Sequence, residues 1–138
     1  MKKRQFILPF VLVVLFAVTA LSGCNGNTGP GDSPDTAQDI GHGETIFRFE
    51  ATGDNGAVTA WNVHTDEATV GAALLAAGLI DGDVSDFGLM VTEVNGLTAV
   101  FDDGFWWAFY IDGEMAVTGV DSTDIEPEKT YAFVYTQA

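Results

Sequence analysis

Apolar and polar residues alternate most clearly between Phe105 and Ile111, where Phe105, Trp107, Phe109 and Ile111 fall on one side of an extended chain and Trp106, Ala108 and Tyr110 on the other. The first set is wholly apolar and is the expected core face. Asp112-Gly113 then supplies the positive backbone angles of a two-residue turn, and Glu114 to Val117 forms the short return arm of a hairpin. Trp106 and Tyr110 are left on the second face. A large aromatic pair outside the core is either covered by another part of the chain or kept for a partner.

The same period of two marks further strands. Ile46 to Ala51 places Phe47 and Phe49 opposite Arg48 and Glu50, and Asn55-Gly56 turns the chain into Val58 to His64, with Trp61 and Val63 on one face. Leu89 to Val94, ended by Asn95-Gly96, predicts a third strand, Phe105 to Ile111 a fourth, and Thr130 to Thr136 the last. Between them, residues 69 to 78 predict the one helix. Thr69 caps it, Asp66 and Glu67 place negative charge before it, Gly78 ends it, and Val70, Ala73, Leu74 and Ala77 share a face small enough for close packing on a sheet. A hairpin, one helix and further strands predict an α+β fold: a β-grasp-like mixed sheet packed on one helix, with the opposite sheet face uncovered at Trp106 and Tyr110.

The pattern changes before residue 44. Lys2, Lys3 and Arg4 precede an apolar run from Phe6 to Ala20, and Leu21-Ser22-Gly23-Cys24 follows, the order of a secretory signal. The run is shorter than the roughly 20 residues that span a bilayer, and Pro9 lies inside it. Leu-Ser-Gly-Cys resembles the bacterial lipobox, which implies a signal peptide at 1–23 and a mature lipoprotein beginning at Cys24, acylated with chains such as palmitate. Cys24 is also the single cysteine, so no internal disulfide is possible. Residues 25–43 are Gly, Asn, Thr, Pro, Ser and Asp with little else, and the expected organisation is a flexible tether at 24–43 followed by a domain at 44–138. Such a chain is expected on the extracytoplasmic face of a cell membrane, held by the lipid on Cys24.

Composition narrows the partners. The net charge is −15, and it reaches −18 without residues 1–23, because all 20 acidic residues follow Cys24. A surface so acidic repels nucleic-acid phosphates and anionic headgroups, which excludes nucleic acid as the expected partner. Asp81-Gly82-Asp83-Val84-Ser85-Asp86 has oxygen donors at the first, third and fifth positions of a calcium loop, but Asp86 stands where Gly is needed and Thr92 where Glu is needed, so an acidic loop is expected there. Neither Ser85 nor Ser122 sits in a nucleophile motif, and Asp102-Asp103 suits a turn. His42 falls in the tether, and His64 at a strand end has no evident companion. The expectation is a protein that is not an enzyme, with no catalytic residue, no metal ligand and no required cofactor.

One family gathers these features. Trp107-Ala108-Phe109-Tyr110-Ile111-Asp112-Gly113-Glu114, then Gly119-Val120, then Ile125 to Tyr131 leading into the last strand resemble the transcobalamin-like C-terminal domain family, as do Val94-Asn95-Gly96 and Ala68-Thr69-Val70. The resemblance covers residues 44–138 and implies a β-grasp fold. It also implies a relation to carriers that use this domain as a lid over cobalamin held by a helical barrel, which 115 mature residues are too few to include. Asp112 stands where the family turn usually has Asn. Two functions follow as expectations. The first is a ligand-binding module for cobalamin, a related corrinoid or another large, partly aromatic ligand, with Phe101, Trp106, Tyr110 and Met115 as its binding residues. The second is a protein interaction or scaffold module docking on a surface partner or transporter, for which an aromatic patch is equally suited.

Overall fold

The structure is a computed structural model that describes residues 36–138. The expected signal peptide, Cys24 and the first part of the tether lie outside the described residues. Strands β1 (Gln38–Gly41), β2 (Thr45–Thr52) and β3 (Val58–Thr65) come first, then helix α1 (Val70–Ala76), then β4 (Ile80–Ser85), β5 (Gly88–Val94) and β6 (Leu97–Thr98). Next come β7 (Phe105–Ile111), β8 (Glu114–Met115) and β9 (Thr130–Gln137), with single 3-10 turns at Phe101–Asp103 and Val120–Ser122. Two sheets result: a six-stranded one in the order β1-β3-β2-β9-β7-β8, and a three-stranded one in the order β4-β5-β6.

The large sheet follows from its aromatic alternation. β2 and β3 pair antiparallel so that Phe47 faces Val63 and Phe49 faces Trp61, whose rings stack 5.6 Å apart. β9 enters parallel to β2, setting Tyr131 beside Phe49 and Phe133 beside Ala51, and β7 pairs antiparallel with β9. Period-two alternation therefore puts Phe47, Phe49, Trp61, Val63, Trp107, Tyr131 and Phe133 in one buried layer. Asp112 and Gly113 have φ of 50° and 81°, the left-handed pair that the β7–β8 turn requires. Asp112 also accepts the Thr130 N–H at 2.8 Å, which ties this turn to the start of β9.

Helix α1 lies on that buried layer through Val70, Ala73 and Leu74. Thr69 Oγ1 accepts the Ala72 N–H at 3.3 Å, a cap that contributes about 1 kcal/mol. The helix's closest approach is at Gly71: a Cβ there would stand 2.8 Å from Asp121 Cα, so the helix needs glycine to rest on the Val120–Ser122 turn. Two further links, Val70 N–H to Thr123 C=O at 2.9 Å and Ile125 N–H to Ala68 C=O at 3.1 Å, fix the long β8–β9 connection to the helix start.

Three features depart from the sequence expectation. The sheet begins at Gln38 rather than after residue 43, because β1 pairs parallel with β3, Ile40 packs on the core and Asp39 reaches His64; backbone pairing at an edge needs no long apolar pattern. Of residues 81–86, expected as an acidic loop, all but Asp86 lie instead in strand β4, paired antiparallel with β5. Its outer positions are solvent-exposed, so the run carries no alternation to betray it. A Cβ at Gly82 would run into the Met90 carbonyl, so the bulge between Asp81 and Gly82 requires glycine. Finally, residues 89–94 belong to the small sheet and not to the large one: Ile80, Leu89, Val91 and Val94 turn toward the same core as α1.

Candidate functional site

Strand β7 divides its aromatics between two environments. Trp107 is 6 % exposed and sits in the core, edge-on to Tyr135 at 5.2 Å, while Phe105 and Phe109 pack against the same layer. Trp106, Ala108 and Tyr110 alternate with these residues and point to the other face of the strand. Register places Trp106 beside Thr136, Ala108 beside Val134, and Tyr110 beside Ala132, which in turn neighbours Glu50. Small side chains at Ala60, Ala108 and Ala132 keep the floor of this face low, and Trp106 and Tyr110 stand above it, half-buried. Ala108, between Trp106 and Tyr110 along the strand, is fully buried. An ion pair between Arg48 and Glu50 at 2.8 Å lies further across the same face.

The four binding residues expected from sequence fall into two groups. Trp106 and Phe101 line one apolar recess of about 140 Å3 with Met90, Val91, Thr92, Ala99 and Phe105. It forms at the edge of β7 that β8 covers only at Tyr110 and Ile111. The 3-10 turn Phe101–Asp103 brings Phe101 to this edge; Gly104, with φ of 83°, closes the turn, and the Phe105 N–H bonds Val100 C=O at 3.2 Å. Phe101 is 73 % exposed, an unusual position for a phenylalanine that nothing covers. Tyr110 and Met115 form the second group: they are cross-strand partners in the β7–β8 hairpin, and Met115 lines a separate recess of about 320 Å3 with Ile111, Val117 and Lys129. Met90 and Phe105 are residues that sequence reasoning missed. Met90 was legible in principle, since it alternates out of phase with the core-facing Leu89 and Val91.

Histidine 64 has a companion after all. Its Nε2 lies 3.1 Å from Asp39 Oδ1, and Asn62 Nδ2 donates to the same oxygen at 3.4 Å. These hydrogen bonds, that from His64 first, hold the Asp39 carboxyl below its ordinary range. The link exists because β1 sets Asp39 beside Asn62 and Gly41 beside His64, which the expected tether concealed. Among the described residues no group of three or more His, Cys, Asp and Glu converges as a metal site, the Asp81–Asp86 stretch included. What β7 and its neighbours offer chemically is stacking and apolar contact.

Comparison with known proteins comes to a consistent picture. Residues 67–137, just over half of the chain, match the family described as Domain of unknown function (DUF4430). A search of curated proteins finds no match. Among solved structures, a "putative metal binding protein" from Ruminococcus gnavus ATCC 29149 superposes with a TM-score of 0.66 at 22 % identity, covering 69 % of this chain and 99 % of that one. Haptocorrin in complex with Cbi superposes with a TM-score of 0.52 at 15 % identity, over 67 % of this chain and 25 % of haptocorrin. At these identities the likeness is one of fold.

Proposed function

The chain belongs to the DUF4430 family, and from that premise we propose that it is a lipid-anchored, extracytoplasmic ligand-binding module of transcobalamin-like β-grasp type, its ligand a corrinoid or another large molecule with flat apolar surface. The observation that carries this reading is the apolar recess of Trp106, Phe101, Phe105 and Met90 beside an uncovered sheet face. Aromatic rings give such a ligand large contact area at small entropic cost. Two facts support the choice of fold type and ligand. The order β3-β2-β9-β7, with β2 and β9 parallel at the centre and one helix across the sheet, supports the β-grasp reading, and a quarter of haptocorrin, which was solved with Cbi, superposes on this chain. The recess is too small to enclose a corrinoid, so in this reading the domain presents one wall of a site and a partner or a second module supplies the other. No catalytic role, metal or cofactor enters this reading, and the membrane attachment rests on Cys24 and the signal before it.

The test is titration of the protein with cobinamide and cobalamin, followed by tryptophan fluorescence and calorimetric heat. Saturable binding that Trp106→Ala weakens by about thirtyfold, equivalent to roughly 2 kcal/mol, is the expected result. No heat and no quenching at high micromolar ligand would count against it.

A second reading, docking on a surface protein, has its own observation. Phe87 and Val117 are each fully exposed on loops that meet at Asp121, whose Oδ2 accepts the Leu89 N–H at 3.2 Å and whose Oδ1 lies against Gly119. Two apolar tips held together in this way suit insertion into a partner's grooves.

A further inference from the structure

The β4–β5 hairpin carries apolar surface that the core does not use. Val84 shares a face with its cross-strand partner Leu89, which packs on the core, yet Val84 is 85 % exposed. The inward face of the hairpin thus runs past the end of the core, and Phe87 at its tip is fully exposed. A third apolar residue, Val117, is fully exposed on the loop that reaches the hairpin through Asp121. Single exposed hydrophobic residues are ordinary, but a group of them on two joined loops marks a place of contact.

The tip is held in shape. Ser85 Oγ donates to Gly88 C=O at 3.0 Å and accepts the Phe87 N–H at 3.2 Å, which closes the turn around Phe87. Gly88, with φ of 104°, lies so close to Asp121 that a Cβ would stand 2.8 Å from its carboxylate, and the Leu89 N–H donates to that carboxylate at 3.2 Å. A side chain presented on a fixed turn loses little freedom when a partner buries it, so more of its contact energy goes into affinity. Charge says what the partner is. Asp81, Asp83 and Asp86 are exposed on the hairpin, and residues 80–94 contain no lysine or arginine. The two lysine and arginine residues of the described chain are engaged elsewhere, Arg48 with Glu50 and Lys129 with Glu126, each at 2.8 Å. A second copy would set acid against acid at a net charge of −15 each, and a lipid surface would have to take in Asp86 beside Phe87 with nothing to neutralise it. A cationic protein surface meets both demands, its charges facing the aspartates at the rim while a pocket takes the apolar tip.

We propose, resting on the docking reading of these loops, that the β4–β5 hairpin inserts Phe87 and Val84 into an apolar pocket of another protein, and that lysine and arginine side chains border that pocket and face Asp83 and Asp86.

The experiment places the photoreactive residue p-benzoylphenylalanine at position 87 of the full chain in its native cell. Intact cells are irradiated, the cross-linked peptide is sequenced by mass spectrometry, and the captured protein is purified and titrated with the wild-type chain. One protein adduct is expected, joined through a surface rich in lysine and arginine. With the purified pair, Phe87→Ala should weaken binding about thirtyfold, and Asp83→Asn together with Asp86→Asn about fivefold. The gap between the wild type and the double variant should close as salt is raised from about 0.1 M to about 1 M, because the screening length falls from about 10 Å to about 3 Å. All three substituted side chains are exposed, so the variants should melt with the wild type. Cross-linking only to lipid, only to a second copy of the chain, or to nothing would overturn the proposal together with the docking reading. A captured protein that binds the wild type and the double variant equally would overturn the cationic partner alone and leave docking in place.

Discussion

Adjacent tryptophans in β7 have opposite duties, and their substitution should separate them. Trp107→Ala empties a core position that touches Tyr135, and a loss of about 3–5 kcal/mol in urea unfolding is expected. Trp106→Ala leaves the core intact and should cost less than half as much; equal losses would mean that the faces of β7 are assigned wrongly. Tyr131 offers a test by pH. Its ring is in the core, its hydroxyl donates to Asp124 C=O at 3.2 Å and accepts the Glu126 N–H at 2.9 Å, and burial pushes the phenol above its ordinary value of 10.0. A raised folded pKa stabilises fully below the unfolded value and loses that contribution as pH rises through the folded one. Lys129, raised first by its hydrogen bond to Glu126, acts in the same direction. The melting temperature should therefore fall steeply above about pH 10, and Tyr131→Phe, less stable at neutral pH by about 1–2 kcal/mol, should show a shallower alkaline fall.

At the scale of elements, β1 is the informative case. Four residues join the large sheet only by parallel pairing with β3, by Ile40 on the core and by the Asp39 contacts with His64 and Asn62. A chain of residues 36–138 should melt higher than one of residues 44–138, which lacks β1 and leaves β3 as a bare edge. Because Asp39 titrates below its ordinary value in the folded state, its share of that difference is present above about pH 4 and is lost as pH falls through the folded value. The gap between the two melting curves should accordingly narrow in acid. An identical pair of curves at neutral pH would show that β1 adds nothing to stability.

For the whole molecule, the large buried side chains of both sheets and α1, Phe47, Leu74, Val94, Trp107 and Tyr131 among them, belong to one core. Residues 36–138 should therefore unfold in a single cooperative transition, coincident by circular dichroism and tryptophan fluorescence. With no disulfide and no converging metal ligands among the described residues, the transition should be the same with and without a chelator. A drop in melting temperature on chelation would point back to the acidic residues between Asp81 and Asp86.

Much of this was legible in the chain because it depends on local chemistry. Alternation set the faces of β2, β3, β7 and β9, since successive side chains of a strand must part; Asn55-Gly56, Asn95-Gly96 and Asp112-Gly113 set turns, since few residues accept a positive φ; Thr69 and Gly78 bounded the helix. That Trp106 is less buried than its neighbour Trp107 followed from the same period. Other features depend on pairing between distant backbones and leave no local mark. β1 and β4 are polar or acidic stretches that became strands only because β3 and β5 offered free edges. Tertiary structure alone decided that residues 88–94 would build a second sheet, that Met90 and Phe105 would join Phe101 and Trp106, and that Tyr110 and Met115 would stand apart from them. It alone also left the Trp107 N–H buried with no acceptor among the described residues, because whether a donor finds an acceptor is settled by packing, and packing is not written in any one segment.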